Sequence, residues 1–190
     1  MSDLEVAQRY LAGPALVAER LRRTTDERDR SMMRCLFERL AGETVGDVDR
    51  TLAAVTEGFV LATTDPGTTS VSGKDELAAS VAKLAGMAGQ MLLWFDFDAI
   101  VADDSSLAVF GTMHTTFAST YAVEHLGASP EAGEGTFTSD STVSLLCRYE
   151  EGLMSREDAL FIPSTEAMRH APGHELPSLG TLSSAFGSLL

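Results

Sequence analysis

Apolar positions recur at helical spacing through the first half of the chain and at a spacing of two through most of the second. Leu4, Ala7 and Leu11 follow a helical period behind a Ser2-to-Glu5 capping-box spacing, until Gly13-Pro14 interrupts it and Ala15 to Arg23 resumes the helix. Thr24 to Glu27 repeats that spacing, and Met32, Cys35, Leu36, Arg39 and Leu40 then share one face of a helix ending near Gly42. Asp47 to Thr56 reads as a short helix, Val60 to Ala62 as a short strand, and Lys74 to Ala88 as a helix opened by Gly73. Beyond Gly89 the period changes to two: Met91–Ala102, Leu107–Phe117, Phe137–Tyr149 and Met154–Ile162 are four predicted strands.

Helices first and a long meander afterwards predict an α+β fold, a bent antiparallel sheet covered by N-terminal helices, rather than a doubly wound parallel sheet. Residues 118–135 exceed what a hairpin needs and form a lid or a surface insertion. In the Ser-, Gly- and Pro-rich tail, Leu179, Leu182, Phe186, Leu189 and Leu190 are spaced to dock as a short helix or to mediate self-association. The expected division is an N-terminal helical extension over 1–23, a pocket domain over 24–162 and a tail over 163–190.

At 190 residues, with 44% hydrophobic and 22% charged positions, one core suffices and the composition is globular. A formal net charge of −14 repels phosphate backbones and anionic headgroups, so neither nucleic acid nor a membrane surface is an expected partner. The Arg20–Arg34 cluster is interrupted by Asp26, Glu27 and Asp29 and reads as a solvated helix face. Cys35 and Cys147 are too few for a disulfide framework and lack zinc-site spacing. With no basic start leading into an apolar run, and no run near the ~18 residues of a span, the expected location is cytoplasmic. No Gly-rich phosphate loop or dinucleotide fingerprint is present, so no cofactor is expected, and no metal site is expected at Asp96 and Asp98.

Helix pairs, a turn containing Asp65-Pro66, Gly73 opening the next helix and four strands ending in the run from Cys147 to Phe161, CRYEEGLMSREDALF, resemble the nuclear transport factor two-like (NTF2-like) superfamily, most nearly SnoaL-like polyketide cyclases and ketosteroid isomerase-like proteins. The resemblance covers roughly Asp26 to Ile162 and implies a cone-shaped bent sheet around a small-molecule pocket. It also implies that Asp65 is a general base. Two donor positions of ketosteroid isomerase-like members depart from the pattern: Leu145 stands where an acidic donor is expected, and the aromatic near Arg34 to Leu40 is Phe37 rather than Tyr. A two-donor oxyanion hole is therefore not expected.

Alternation sorts the other candidates. Val109 and Met113 share one face of their strand, Leu145, Cys147 and Tyr149 one face of the next, and Glu157 and Phe161 one face of the last. With Phe37 these apolar positions are the expected substrate-binding wall. An inward Glu157 is the anomaly, because a carboxyl among apolar neighbours has a raised pKa suited to acid–base work; a register slip by one would instead turn Asp158 or Arg156 inward. His114 is a candidate proton shuttle, with Asp96 or Asp98 as expected neighbours on an outer face that also carries Trp94. Cover for that face is expected from a homodimer. His170 and His174, with Pro172 between them, read as loop residues.

Two functions remain open on this reading. One is a cofactor-independent acid–base enzyme of cyclase, isomerase or dehydratase type, with Asp65, Glu157 and His114 as catalytic candidates on a largely apolar, carbonyl-bearing metabolite. The other is a binding or dimerisation module of the same fold. Epoxide opening would need an Arg between two carboxylates, and no inward Arg is evident beside Asp65 and Glu157.

Overall fold

The computed structural model describes residues 7–64, 70–129, 131 and 133–190. Residues 7–9 are helical and the chain turns at Tyr10–Leu11, so α1 (Ala12–Arg23) starts before Gly13-Pro14 rather than being broken by it. Pro14 sits in the first turn, where a missing N–H costs nothing. Asp26 caps α2 (Glu27–Val45) by accepting from the Asp29 N–H, and Gly46 ends it in the left-handed conformation at φ 71°. Asp47 caps α3 (Val48–Ala53) in the same way, with Arg50 N–H as donor.

The predicted helix over 47–56 is shorter than expected, because Val55 already belongs to β1 (Val55–Thr63). After β2 (Val71–Ser72) come α4 (Lys74–Gly86), β3 (Met91–Asp103), β4 (Ser106–Ala118) and α5 (Ser119–Leu126). The chain then makes β5 (Gly135–Glu150), β6 (Leu153–Pro163), β7 (Arg169–Pro172) and α6 (Leu179–Gly187). The segment expected as lid or insertion therefore contains α5, and the tail contains both a strand and a docked helix.

These strands form one seven-stranded, unclosed sheet in the order β2-β1-β6-β5-β4-β3, with β7 pairing β5 on the edge that β6 leaves free. The sheet is mixed, not wholly antiparallel: β1 runs parallel to β6, with Leu61 opposite Glu157 and Thr63 opposite Ala159. Alternation identifies the face of a strand but not the direction of its neighbour, which is why periodicity missed this pairing.

The inner face carries Leu107, Val109, Met113, Val143, Leu145, Cys147, Tyr149 and Ala159, all buried, and α2 lies across it. The outer face leaves Val101, Phe110, Leu160 and Ile162 exposed. A register shift between Phe97 and Ala99 bends β3 over β4, and Gly111 lies at the bend. A Cβ there would run into the Asp96 carbonyl oxygen and the Phe97 Cα, both backbone atoms that cannot swing aside. Gly111→Ala is expected to cost about 1–3 kcal/mol, the range for overpacking a close contact, read as a lower urea midpoint at unchanged slope.

Candidate functional site

Helical spacing stacks Met32, Leu36, Arg39 and Glu43 along the face of α2 that meets the sheet, so a guanidinium is carried into an otherwise apolar layer. Arg39 is 2% exposed. Glu157 arrives from β6 directly opposite Cys147 and is 7% exposed. Arg39 Nη1 lies 2.9 Å from Glu43 Oε2 and 3.3 Å from Glu157 Oε2, so one nitrogen bridges two carboxylates. The guanidinium stands 5.1 Å over the Phe59 ring of β1, a cation–π contact that α2 makes with the sheet. The inward Arg that the sequence did not reveal is therefore Arg39. Its signal was present in the helical period, where it shares a face with Met32, Cys35 and Leu36.

Burial alone would draw the Arg39 pKa down, but the Glu157 and Glu43 carboxylates outweigh it and hold it above its ordinary value. Burial raises Glu43 above the ordinary 4.5 of a glutamate; Arg39 opposes the shift and the charge of Glu157 adds to it. Burial likewise pushes the Cys147 thiol and the Tyr149 hydroxyl well up, and Cys35 to about 11, so all three stay neutral near pH 7. Among the described residues no acceptor meets the buried Arg39 Nε. Replacing buried ion pairs by apolar side chains is often neutral or stabilising, so a cluster of this kind is weak evidence of a stability device.

Glu43 is the member of the cluster that reaches open space. It lines a cavity of about 80 Å³ with Leu40 and Thr44 of α2, Leu84 and Ala85 of α4, Met91 to Leu93 and Phe95 of β3, and Leu179 of α6. The wall is almost wholly apolar and Glu43 is its ionisable group. That volume is well under the ~300–1,000 Å³ of an ordinary ligand site. Phe37, Val109, Met113, Leu145, Cys147 and Tyr149, expected to line a pocket, are buried and packed in the core, while Phe161 is half-buried against it.

No protein-family model matches the sequence, and no curated protein matches it. Among solved structures, a protein of Shewanella denitrificans described as a SnoaL-like polyketide cyclase aligns at TM-score 0.53 and 10% identity, over 68% of this chain and 89% of that one. A protein of Rhodopseudomonas palustris described as an isomerase aligns at TM-score 0.52 and 10% identity, over 73% and 91%. A polyketide cyclase assignment from Xanthomonas campestris aligns at TM-score 0.50 and 13% identity, over 70% and 92%. The chain has the nuclear transport factor two-like fold.

In this NTF2-like fold His114 lies apart from Arg39. Asp65 falls outside the described residues. The last residue of β1 before its loop, Thr63, sits opposite Ala159, two positions from Glu157. His114 is on the outer face, across the sheet from Glu157, and its expected neighbours Asp96 and Asp98 are exposed elsewhere. Its partner is Asp140 of β5: Nδ1 lies 2.7 Å from Asp140 Oδ1, and Arg169 of β7 contacts the same carboxylate at 2.8 Å. Burial works against ionisation of Asp140, but the bonds from His114 and Arg169 hold its pKa below the usual carboxylate range. Trp94 stacks on His114 at 3.8 Å, and Tyr10 packs edge-on against Trp94 at 5.4 Å. The cover expected from a second copy is thus supplied there by the chain's own N-terminal segment. His170 lies in β7 rather than a loop. Among the described residues no group of three His, Cys, Asp or Glu is placed to hold a metal, and no helix is long and apolar enough to cross a membrane.

Arg39→Leu strands two carboxylates in the core and is expected to cost about 3–5 kcal/mol in urea unfolding, whereas Arg39→Leu with Glu43→Gln and Glu157→Leu regains most of that loss. A smaller deficit than 1 kcal/mol for the single variant would mean that the cluster is solvated. The raised pKa of Glu43 also gives a sign. The folded state holds this proton more tightly than the unfolded chain, so wild-type stability falls as pH rises from 4.5 through the folded value. The melting temperature of Glu43→Gln should therefore gain on wild type across that window.

Proposed function

We propose that this chain binds a small, largely apolar, carbonyl-bearing molecule beside Glu43 and moves a proton on it without a cofactor, in a cyclase-, isomerase- or dehydratase-type reaction. The observation that carries the reading is Arg39 bridging Glu43 and Glu157, with Glu43 on the wall of an apolar cavity. Glu43 is the carboxyl that meets the ligand and exchanges a proton with it, while Glu157, on the same guanidinium but away from the cavity wall, positions it through Arg39. Arg39 keeps the charges balanced as the proton moves. Asp65 is retained as a candidate base, because it follows by two positions Thr63, which pairs with Ala159 on the strand that carries Glu157. Acid–base opening of an epoxide would draw on the same Arg between two carboxylates.

A second reading has its own support. The interior side chains leave about 80 Å³ at the cavity, which suits a non-catalytic module whose core is filled. Self-association is proposed through the outer face, where Phe110 is 43% and Ile162 57% exposed near Val101 and Leu160. Phe110→Asp with Ile162→Asp is expected to shift a dimer to monomer in sedimentation at micromolar concentration. A wild-type monomer there removes the dimer.

Solvent-deuterium incorporation into small cyclic ketones, followed by NMR, tests the enzymatic reading. Glu43→Gln and Glu157→Gln should each lower the exchange rate by about 10²–10⁴ with binding retained. Asp65→Asn should do the same if that residue is the base. Wild-type binding without exchange, or exchange unchanged by Glu43→Gln, overturns the catalytic reading in favour of the module.

A further inference from the structure

We infer that α6 is a displaceable plug of the Glu43 cavity, and that the groove it covers between α2, α4 and the edge of β3 is the apolar part of the binding site. The inference rests on the reading that this cavity is the ligand site. Leu179, the first residue of α6, is one of its walls. With Leu179 in place the cavity is about 80 Å³, small for a ligand site.

Three features mark α6 as separate from the body it closes. It follows the last strand of the sheet in the chain, so it can leave without unthreading a strand. The helix carries its own N-cap: the Ser178 hydroxyl accepts from the Thr181 N–H at 3.1 Å. Its hold on the body is an apolar stripe at helical spacing, Leu182, Ala185 and Phe186, with the Phe186 ring edge-on to Phe37 of α2 at 5.9 Å. At its end Arg22 of α1 donates to the Leu189 carbonyl at 2.6 Å.

The connection to α6 suits a hinge. Residues 173–178 between β7 and α6 include Gly173 and Pro177, are exposed or half-buried, and make no sheet pairing. Displacing α6 breaks no strand pairing of the sheet and uncovers Phe37, Leu40 and the Glu43 carboxyl together, which lie along α2. The ligand this groove takes is uncharged and apolar over most of its length, with one oxygen at the end that meets Glu43.

The full-length chain tests this in two ways. Hydrogen exchange should show α6 amides exchanging at least about 100-fold faster than those of β4 and β5, because α6 opens locally. Phe186→Ala should bind the neutral dye Nile red about tenfold more tightly than wild type, the factor expected if the plug closes the site roughly nine-tenths of the time. Phe186→Ala with Ala85→Phe, which fills the cavity wall, should lose that gain.

Exchange of α6 only at the rate of the sheet core overturns the plug, and so does a folded Phe186→Ala chain with unchanged dye affinity. If Phe186→Ala does not fold, the wild-type exchange rates decide alone. Dye binding involves no chemistry, so gated binding without ketone exchange would sink the catalytic reading and leave the plug standing.

Discussion

A guanidinium buried between two carboxylates sets the terms for everything around it. Arg39 cannot shed its charge, so α2 can rest on the sheet only where acceptors meet it, and Glu157 of β6 is one of them. The Phe59 ring beneath it ties the same point to β1. Helix and sheet are therefore registered by charge at one spot and by apolar packing elsewhere. The pairing also leaves one carboxyl, Glu43, with a raised pKa at the boundary between core and cavity.

The two faces of the sheet divide the chemistry. Inside, Leu107, Val109, Leu145 and Cys147 fill the space around the cluster and deny it water, which strengthens each of its electrostatic contacts. Outside, His114, Asp140 and Arg169 form a second polar group, with Trp94 stacked on His114 and Tyr10 packed on Trp94, separated from the first by the thickness of the sheet. A histidine bonded to a carboxylate and stacked on an indole braces strands β3, β4, β5 and β7 to the N-terminal segment. It takes no part in the inner site.

The helices that close the fold come from its two ends. Gly13 allows the start of α1 to lie directly on the Phe95 carbonyl and the Phe97 ring, so the N-terminal helix seals the free edge of β3. From the other end α6 brings Leu179 to the cavity and Phe186 to Phe37. The volume left beside Glu43 is therefore set by segments distant in sequence from the strands that build the core.

The residue pattern alone determined the α+β class, the helix on which Arg39 sits and the four long strands, because each follows from a local period of 3.6 or 2, and it left the inward turn of Glu157 open to a register slip by one. It also marked Leu182 and Phe186 for docking or self-association, and the structure has them docked. Only the tertiary structure decided the rest. The parallel pairing of β1 with β6, the choice of Asp140 rather than Asp96 or Asp98 for His114, and the meeting of Arg39 with Glu157 across 118 positions depend on which elements become neighbours. Periodicity assigns a side chain to a face, but the partner that neutralises a buried charge is selected by the packing of distant segments, where the cost of leaving that charge unpaired is felt.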